Sequence, residues 1–157
     1  MVRRGIAPRS GVALDWRWAL FSFEGRLPRA PFWIILAAYL IGLPFVSVML
    51  KRLSFLGPAL ALALDIAFYP AIIWIAFAVA AKRLHDRGKS ASWLLLYALA
   101  PMLLGQIATG MTGIPTHGHS AILLSYMRWV LALWSSIELV ILPGIRGPNR
   151  FGPEPGL

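Results

Sequence analysis

The sequence predicts an all-α membrane protein with four transmembrane helices, a basic cytoplasmic cap and a short N-terminal interfacial helix. Three observations lead to this fold class. Of 157 residues, 59% are hydrophobic and only 13% are charged, whereas soluble domains are about 25% charged. The mean hydropathy is +0.71, which is too high for a soluble fold of this length. Seven Trp and four Tyr suit aromatic belts at the two membrane interfaces.

Four apolar segments are long enough to be spans, since about 20 helical residues cross a hydrocarbon core of roughly 30 Å. They run over about 32–50, 58–81, 92–111 and 121–142. Pro31 suits the first position of the first helix, and Pro70 predicts a kink in the second. Pro101 and Gly105 interrupt the third.

The regions outside these segments are polar or rich in helix-breaking residues. Residues 1–12 indicate a flexible basic tail, with an organellar presequence as the alternative. Residues 13–23 place Leu14, Trp18 and Phe21 on one side of a short interfacial helix. We therefore expect one transmembrane domain over residues 13–157. Cysteine is absent, which excludes disulfides and thiolate chemistry.

The basic residues indicate the orientation. Twelve of the fifteen Lys and Arg lie in 1–31, 82–89 and 145–157, and only Lys51 and Arg52 lie in the connections on the other side. Lys and Arg are enriched in cytoplasmic loops. We therefore expect both termini and the 82–89 connection in the cytoplasm. Because these residues cluster at the ends of apolar segments, anionic lipid head groups are the expected partner, and nucleic acid is not.

Three motifs follow one another along the chain. They are Phe-x-Phe-x-Gly-Arg-x-x-Arg-x-x-Phe-Trp at 21–33, Arg-Leu-His-Asp-Arg-Gly-Lys-Ser at 83–90 with Trp93, and Pro-Gly at 143–144 followed by Asn-Arg-Phe-Gly-Pro at 149–153 and Pro155. Together they resemble the bacterial inner-membrane family known as domain of unknown function 805, over about residues 20–155. The resemblance implies four transmembrane helices in the bacterial inner (plasma) membrane. It implies no activity, because the function of that family is unassigned.

The sequence departs from the family pattern at a few positions, none of which threatens the fold. Lys82 stands where the loop motif of the family has its first arginine, and Ala91-Ser92 stands where Gly-Trp usually follows the serine. Phe151 and Glu154 replace the usual Tyr and Asp. The loop at 112–120 is longer than the tight turn of the family.

The expected topology brings all three motifs to the cytoplasmic rim. The cap residues predicted in this way are Gly25, Arg26, Arg29, Arg83, His85, Asp86, Arg87, Asn149 and Arg150. Arginine offers five donors in a planar fork to carboxylates, carbonyl groups or phosphates, so Asp86 could hold Arg26 or Arg29. The cap is interpreted as structural, with an anionic-ligand or lipid-phosphate site as the alternative.

Three ionisable residues lie within the predicted spans, where charge is costly and a partner is expected. They are Asp65, Arg128 and Glu138. Counted from the outer ends of their helices, Asp65 and Arg128 have the same depth, which predicts an ion pair. Glu138 lies nearer the cytoplasm and is expected to meet Arg83 or Lys82. A structural ion pair is the preferred interpretation, and a proton or ion relay is the alternative.

No pattern indicates catalysis, a cofactor or a metal. His117 and His119 alone are a poor metal site, because structural zinc usually takes four ligands. The leading hypothesis is a non-enzymatic structural protein or an accessory subunit docked to other membrane subunits. A small oligomeric transporter or channel using the intramembrane charges is the second hypothesis. An enzyme acting on lipid head groups through His85 and Asp86 is the third.

Overall fold

The computed structural model describes residues 14–111 and 118–155, and this part of the chain is helical with no β-strand beyond an isolated bridge between Asn149 and Gly152. The predictions for residues 1–12 and for the 112–117 part of the loop, including His117, lie outside the described residues. The helices are α1 Trp16–Phe21, α2 Arg29–Leu53, α3 Pro58–Asp86, α4 Ala100–Met111 and α5 Gly118–Ser136. Ser54–Leu56 forms a 3₁₀ turn, and π-helical stretches at Leu95–Leu99 and Ile137–Ile141 precede α4 and extend α5.

Three helices in the described part are long and apolar enough to cross a membrane, namely Arg29–Leu53, Pro58–Asp86 and Gly118–Ile141. They correspond to the first, second and fourth predicted segments. The third segment is helical over Leu95–Met111. The all-helical prediction with membrane-length apolar helices is confirmed.

The long helices form two hairpins. α2 packs on α3, and α4 packs on α5. The π-helical stretch Ile137–Ile141 contacts both α2 and α3. The hairpins therefore meet where α2 begins and where α3 and α5 end.

Proline chemistry accounts for the course of the chain near these junctions. α2 and α3 continue as helices through Pro44 and Pro70. A π-helical stretch precedes Pro101, whose ring would clash with the carbonyl group four residues earlier in a regular helix. Pro143 stops the helix after Ile137–Ile141, since it cannot donate a backbone hydrogen bond.

The predicted N-terminal helix is present as α1. Asp15 caps it, because its Oδ1 accepts from the backbone N–H groups of Arg17 at 3.0 Å and Trp18 at 3.3 Å. The indole N–H of Trp18 donates to the carbonyl oxygen of Glu24 at 3.1 Å. α1 packs against α3, so it is docked on the rest of the chain through part of the surface that was predicted to face lipid.

The hydrophobic core is small and lies near the junction of the hairpins. Its two clusters consist of Ala19, Leu27, Phe32, Ile35 and Val79, and of Ala81, Leu84, Leu94 and Tyr97. Away from this end, large apolar side chains are exposed along the long helices, for example Ile41 at 75% and Leu133 at 64%. Such faces suit contact with lipid chains.

Candidate functional site

The three motifs come together in one polar cluster, which we call the cap and which comprises residues 25–27, 82–89 and 142–151. Asp86 lies at its centre. Its Oδ1 accepts from Arg26 Nε at 3.2 Å and Nη2 at 3.1 Å, and its Oδ2 accepts from Arg83 Nη1 at 2.5 Å. Arg26 is 1% exposed and Arg83 is fully buried. Two guanidinium groups thus neutralise one buried carboxylate, as such a group requires.

Arg26 also fastens the C-terminal segment. Its Nη1 donates to the carbonyl oxygen of Gly147 at 2.6 Å, and its Nη2 donates to that of Ile145 at 2.5 Å. The backbone N–H of Ile145 donates in turn to the Asp86 carbonyl oxygen at 2.9 Å. The segment before α2, the end of α3 and the segment after α5 therefore share one hydrogen-bond network.

Arg83 closes the end of the fourth apolar helix. Its Nε donates to the carbonyl oxygen of Leu139 at 2.9 Å, and its Nη2 donates to that of Leu142 at 2.5 Å. In a regular helix the Leu139 carbonyl would accept from residue 143, but Pro143 has no N–H. Arg83 thus supplies donors that the helix end lacks.

Gly144 leaves room for the central carboxylate. A Cβ atom at this position would overlap the carboxylate oxygens of Asp86. The Pro-Gly pair of the third motif therefore has two separate physical roles. Pro143 leaves a carbonyl group for Arg83, and Gly144 allows the backbone to approach Asp86 closely.

His85 contacts both the first and the third motif. Its Nδ1 lies 3.1 Å from the carbonyl oxygen of Gly25, and a carbonyl only accepts, so Nδ1 carries the proton. The amide Nδ2 of Asn149 donates to the His85 carbonyl oxygen at 2.9 Å. The Phe151 ring stacks on the imidazole at a centroid distance of 3.9 Å and an angle of 6°. His85 is a positioned structural residue within this network.

Lys82 occupies the position where the family pattern has arginine, and it is fully buried. Its Nζ donates to the carbonyl oxygen of Ser22 and lies 5.4 Å from the centre of the Trp18 ring. Its carbonyl oxygen accepts from the Leu27 N–H at 3.1 Å. Lys82 therefore holds the residues between α1 and α2 against α3.

A second charged cluster surrounds Glu138, which is 8% exposed. Its carboxylate accepts from Arg87 Nε at 2.9 Å and from Lys89 Nζ at 2.5 Å. Lys89 also donates to the Tyr97 hydroxyl at 2.9 Å. Partial desolvation acts to lower the pKa of Lys89, but the hydrogen bonds to Glu138 and Tyr97 outweigh it, so that its pKa is raised. The expectation that Glu138 meets Arg83 or Lys82 is wrong, because those side chains turn toward other carbonyl groups.

The predicted Asp65–Arg128 ion pair does not form. The four ion pairs among the described residues are Arg26–Asp86, Arg83–Asp86, Arg87–Glu138 and Lys89–Glu138. Asp65 is exposed on α3, and Arg128 packs against Gly105 and the Trp129 ring. The depths differ, since Asp65 lies about 32 Å from Asp86 along α3, and Arg128 lies only about 15 Å from Glu138 along α5. The prediction failed because it counted from helix ends on the other side, which are not level.

The remaining predicted cap residues lie at its edge. Arg29 is exposed at the start of α2 and forms neither a hydrogen bond nor an ion pair with the described residues. Arg150 is exposed and donates to the Gly88 carbonyl oxygen at a long 3.4 Å. The spacing of the motifs left both Arg26 and Arg29 as possible partners of Asp86. The structure pairs Asp86 with Arg26.

The cap satisfies its own polar groups. Across residues 14–111 and 118–155, no fully buried side-chain nitrogen or oxygen lacks a hydrogen-bond partner. No group of three or more metal-ligating side chains occurs in the same part of the chain. Sequence reasoning missed the main-chain acceptors at residues 139, 142, 145 and 147 and the role of Tyr97. Only Pro143, which leaves a carbonyl group without its donor, gave a signal for any of them.

Comparisons with known proteins show which family the chain resembles. A family model described as "Protein of unknown function (DUF805)" matches residues 20–153. The Uncharacterized protein YiiR of Escherichia coli strain K12 is 32% identical over 144 residues, with 86% of each chain covered. The protein of the same name from Escherichia coli O157:H7 matches to the same extent. No solved structure matches significantly.

Proposed function

The chain belongs to the family of proteins of unknown function called DUF805, and on that premise we propose that it is a four-span protein of the bacterial inner membrane that acts as a non-enzymatic accessory subunit of a larger membrane complex. In this proposal the cap lies at the cytoplasmic surface and holds the two hairpins together. The apolar helix faces contact lipid and neighbouring subunits.

The contacts at the cap support four crossings. The segment before α2, the end of α3 and the segment after α5 share the Arg26–Asp86 network. Lys89, just before the third apolar segment, pairs with Glu138 near the end of α5. Each hairpin therefore starts and ends at the same level. If one helix of a hairpin crosses the bilayer, its partner crosses back.

The observation that carries the accessory role is the internal saturation of the cap. The polar groups of the buried cap side chains already have partners within the chain. Arg26 and Arg83 donate to Asp86, and Arg26 also donates to a main-chain carbonyl group. His85 donates to the carbonyl oxygen of Gly25. A general acid, a general base or an anion-binding cation needs an available position within reach of a substrate. The buried network of the cap leaves no such position, so the proposal places the contacts with other subunits on the apolar faces of the helices.

The transporter hypothesis has less support. It required Asp65, Arg128 and Glu138 to act along one path. Glu138 is bound by Arg87 and Lys89, and Asp65 lies far from Arg128 along the bundle. The lipid-enzyme hypothesis required a reactive His85–Asp86 pair, but these side chains have separate structural partners.

Mild-detergent co-purification with quantitative mass spectrometry tests the accessory role. We expect one or a few membrane proteins to co-purify in fixed ratio, and to be recovered again when a tag is placed on the partner. Asp86→Ala, which opens the cap, should reduce the ratio. Asp65→Ala removes an equivalent charge outside the cap and should not. A monodisperse, partner-free protein that carries a specific solute flux in proteoliposomes would contradict the proposal.

The topology has its own test, because the chain contains no cysteine. Single variants Ser92→Cys and Arg146→Cys should react with an impermeant maleimide only from the cytoplasmic side. Phe55→Cys and Ser120→Cys should react only from outside. Labelling of Ser120→Cys and Arg146→Cys from the same side would exclude four spans.

A further inference from the structure

Arg128 is a cation deep within an apolar helix. Ten helical residues from Gly118 precede it and thirteen to Ile141 follow it, which correspond to about 15 Å and 20 Å. Both distances exceed the length of an arginine side chain. Arg128 makes neither a hydrogen bond nor an ion pair with any residue that the structure describes. A charge at this depth in a membrane is costly unless it is paired.

The surroundings of Arg128 leave part of its side chain accessible. Its guanidinium carbon lies 4.7 Å from the centre of the Trp129 ring, which attracts a cation but carries no net charge. On α4, a Cβ atom at Gly105 would lie 2.9 Å from the Arg128 Cδ and 3.0 Å from its Nη1. Arg128 therefore occupies space that a side chain on α4 would fill. It is half-buried and lines a groove of about 390 Å³ between α4 and α5.

The other residues of this groove suit contact with a further helix. Pro101, Gly105 and Ala132 line it with small side chains or none. Small residues let the backbones of membrane helices approach closely. Gln106 also lines the groove, is exposed, and has no hydrogen-bond partner in the described part of the chain. Two polar side chains without partners thus share one groove on an apolar face.

The carboxylates of this chain are accounted for elsewhere. The sequence has six acidic residues. Asp86 and Glu138 are paired within the cap. Three more lie outside the long helices, namely Asp15, Glu24 and Glu154. Asp65 is the remaining one, so a second copy of this chain could pair with Arg128 only through Asp65.

Depth along the helices excludes that pairing between copies inserted in the same orientation. Asp65 lies about 32 Å from Asp86 along α3. Gly105, which Arg128 contacts, lies only about 18 Å from Trp93 along the next helical segment. Asp86 and Trp93 flank one short connection, so both distances start from about the same level. The two groups thus differ in depth by about 14 Å, which is more than an ion pair can span.

We propose that the α4–α5 groove docks a transmembrane helix of a different protein that carries a glutamate or aspartate near the middle of its span. This contact rests on the accessory role proposed above and gives the chemistry of the partner. The carboxylate accepts from the planar fork of Arg128, and Gln106 donates a further hydrogen bond. A helix without the acid leaves Arg128 unpaired, so the same pair selects the partner and sets its depth.

Synthetic peptides test this contact without knowledge of the natural partner. The probes are transmembrane peptides of about 20 leucine and alanine residues with a central glutamate, a central glutamine, or a glutamate moved two turns from the centre. The full chain is labelled at Ser92→Cys, since it has no other cysteine. Energy transfer to a labelled peptide in phosphatidylcholine liposomes gives the Kd. The peptide with the central glutamate should bind about tenfold more tightly than the other two, the gain that corresponds to one hydrogen bond to a charged group.

Variants of the chain locate the contact. In Arg128→Gln the peptides with central glutamate and central glutamine should bind equally, and Arg128→Lys should retain part of the preference. Gly105→Ala keeps every charge but intrudes on Arg128, so it should reduce the preference. Arg146→Gln removes the same charge at an exposed position in the C-terminal segment and should leave the preference unchanged.

Equal binding of the three peptides to wild type would overturn the inference, and this comparison requires no variant to fold. So would a preference for glutamate that persists in Arg128→Gln. Self-association of wild type that is lost in Arg128→Gln, without any preference among peptides, would assign the groove to a second copy and would also overturn it.

This failure is distinguishable from failure of the accessory role. If a partner co-purifies with wild type and with Arg128→Gln in the same ratio, the groove contact is refuted and the accessory role stands. If no membrane protein co-purifies with wild type, the accessory role itself is refuted.

Discussion

The cap and the long helices have opposite distributions of polarity. In the cap the largest fully buried side chains are charged, namely those of Arg26, Arg83 and Lys82, which are also the largest in the described part. Along the helices the large apolar side chains are exposed. A soluble domain shows the reverse. The helices need little internal apolar contact, since lipid solvates their surface, whereas specific hydrogen bonds in the cap determine which helix ends meet.

The largest effect is expected for Asp86→Ala. This change leaves Arg26 and Arg83 buried without a counter-charge, and breaking a buried pair in this way costs about 3–5 kcal/mol. Unfolding in mixed micelles with increasing dodecyl sulfate, followed by circular dichroism, measures the loss. Asp65→Ala is the matched control and should change stability by less than about 0.5 kcal/mol. Equal losses of stability in the two variants would contradict the claim that a charge in the cap stabilises the fold more than a charge on the helix surface.

Gly144→Ala should have the next largest effect. The added methyl group overlaps the Asp86 carboxylate, and overpacking of this kind costs about 1–3 kcal/mol. Gly42 is a control, because an added Cβ there meets nothing within 4 Å. Gly42→Ala should be neutral or slightly stabilising in the same titration, since alanine favours a helix by up to about 1 kcal/mol. A neutral Gly144→Ala would show that the third motif does not pack on Asp86.

A smaller effect is expected from Lys89→Met, and it depends on pH. The pKa of Lys89 is raised in the folded state relative to its ordinary value of 10.5, despite partial burial, by its hydrogen bonds to Glu138 and Tyr97. Its contribution to stability is therefore fully present below pH 10.5 and is lost as the pH rises through the folded-state pKa. The difference in midpoint between wild type and Lys89→Met should stay constant from neutral pH to about pH 9 and shrink above 10.5. A difference that instead shrinks on acidification toward neutral pH would contradict this assignment.

The smallest effect is expected from Arg29→Gln. Arg29 belongs to the first motif but is exposed, so its loss should change stability by less than about 0.5 kcal/mol. Arg26→Gln removes the other arginine of the same motif and should cost several times more, because four hydrogen bonds are lost. Thermal melting of both variants in one detergent makes the comparison. Similar costs would mean that the motif acts through its charge and not through these contacts.

The sequence was sufficient to predict those features of the fold and the cap that depend on local residue patterns. Apolar length located the long helices, and motif spacing brought Arg26, Asp86 and Asn149 to one end. It was insufficient where the answer depends on helix length and rotation. Asp65 and Arg128 seemed level only because each was counted from its own helix end. The partners of Glu138 were misassigned because Lys82 and Arg83 donate to main-chain carbonyl groups, and Arg87 and Lys89 reach the carboxylate instead.

The difference between Arg26 and Arg29 was also beyond the sequence. Both are arginines in one motif, three positions apart. Arg29 begins a helix and its side chain is exposed, whereas Arg26 lies in the segment before that helix and is buried against the end of α3. Main-chain carbonyl groups at residues 139, 142, 145 and 147 accept four of the seven hydrogen bonds that Arg26 and Arg83 donate. Every residue has a carbonyl group, so the residue types do not indicate which carbonyl groups accept these hydrogen bonds.

A double-mutant cycle between Arg26 and Asp86 tests the central claim, that a buried charge pair in the cap fastens the segment before α2 to the end of α3. Unfolding free energies of wild type, Arg26→Gln, Asp86→Asn and the double variant are measured in the same mixed micelles. The account predicts a coupling energy of about 1–3 kcal/mol between the two positions, because each side chain contributes less to the free energy of unfolding when its partner is absent. Additive effects, with a coupling energy near zero, would contradict it.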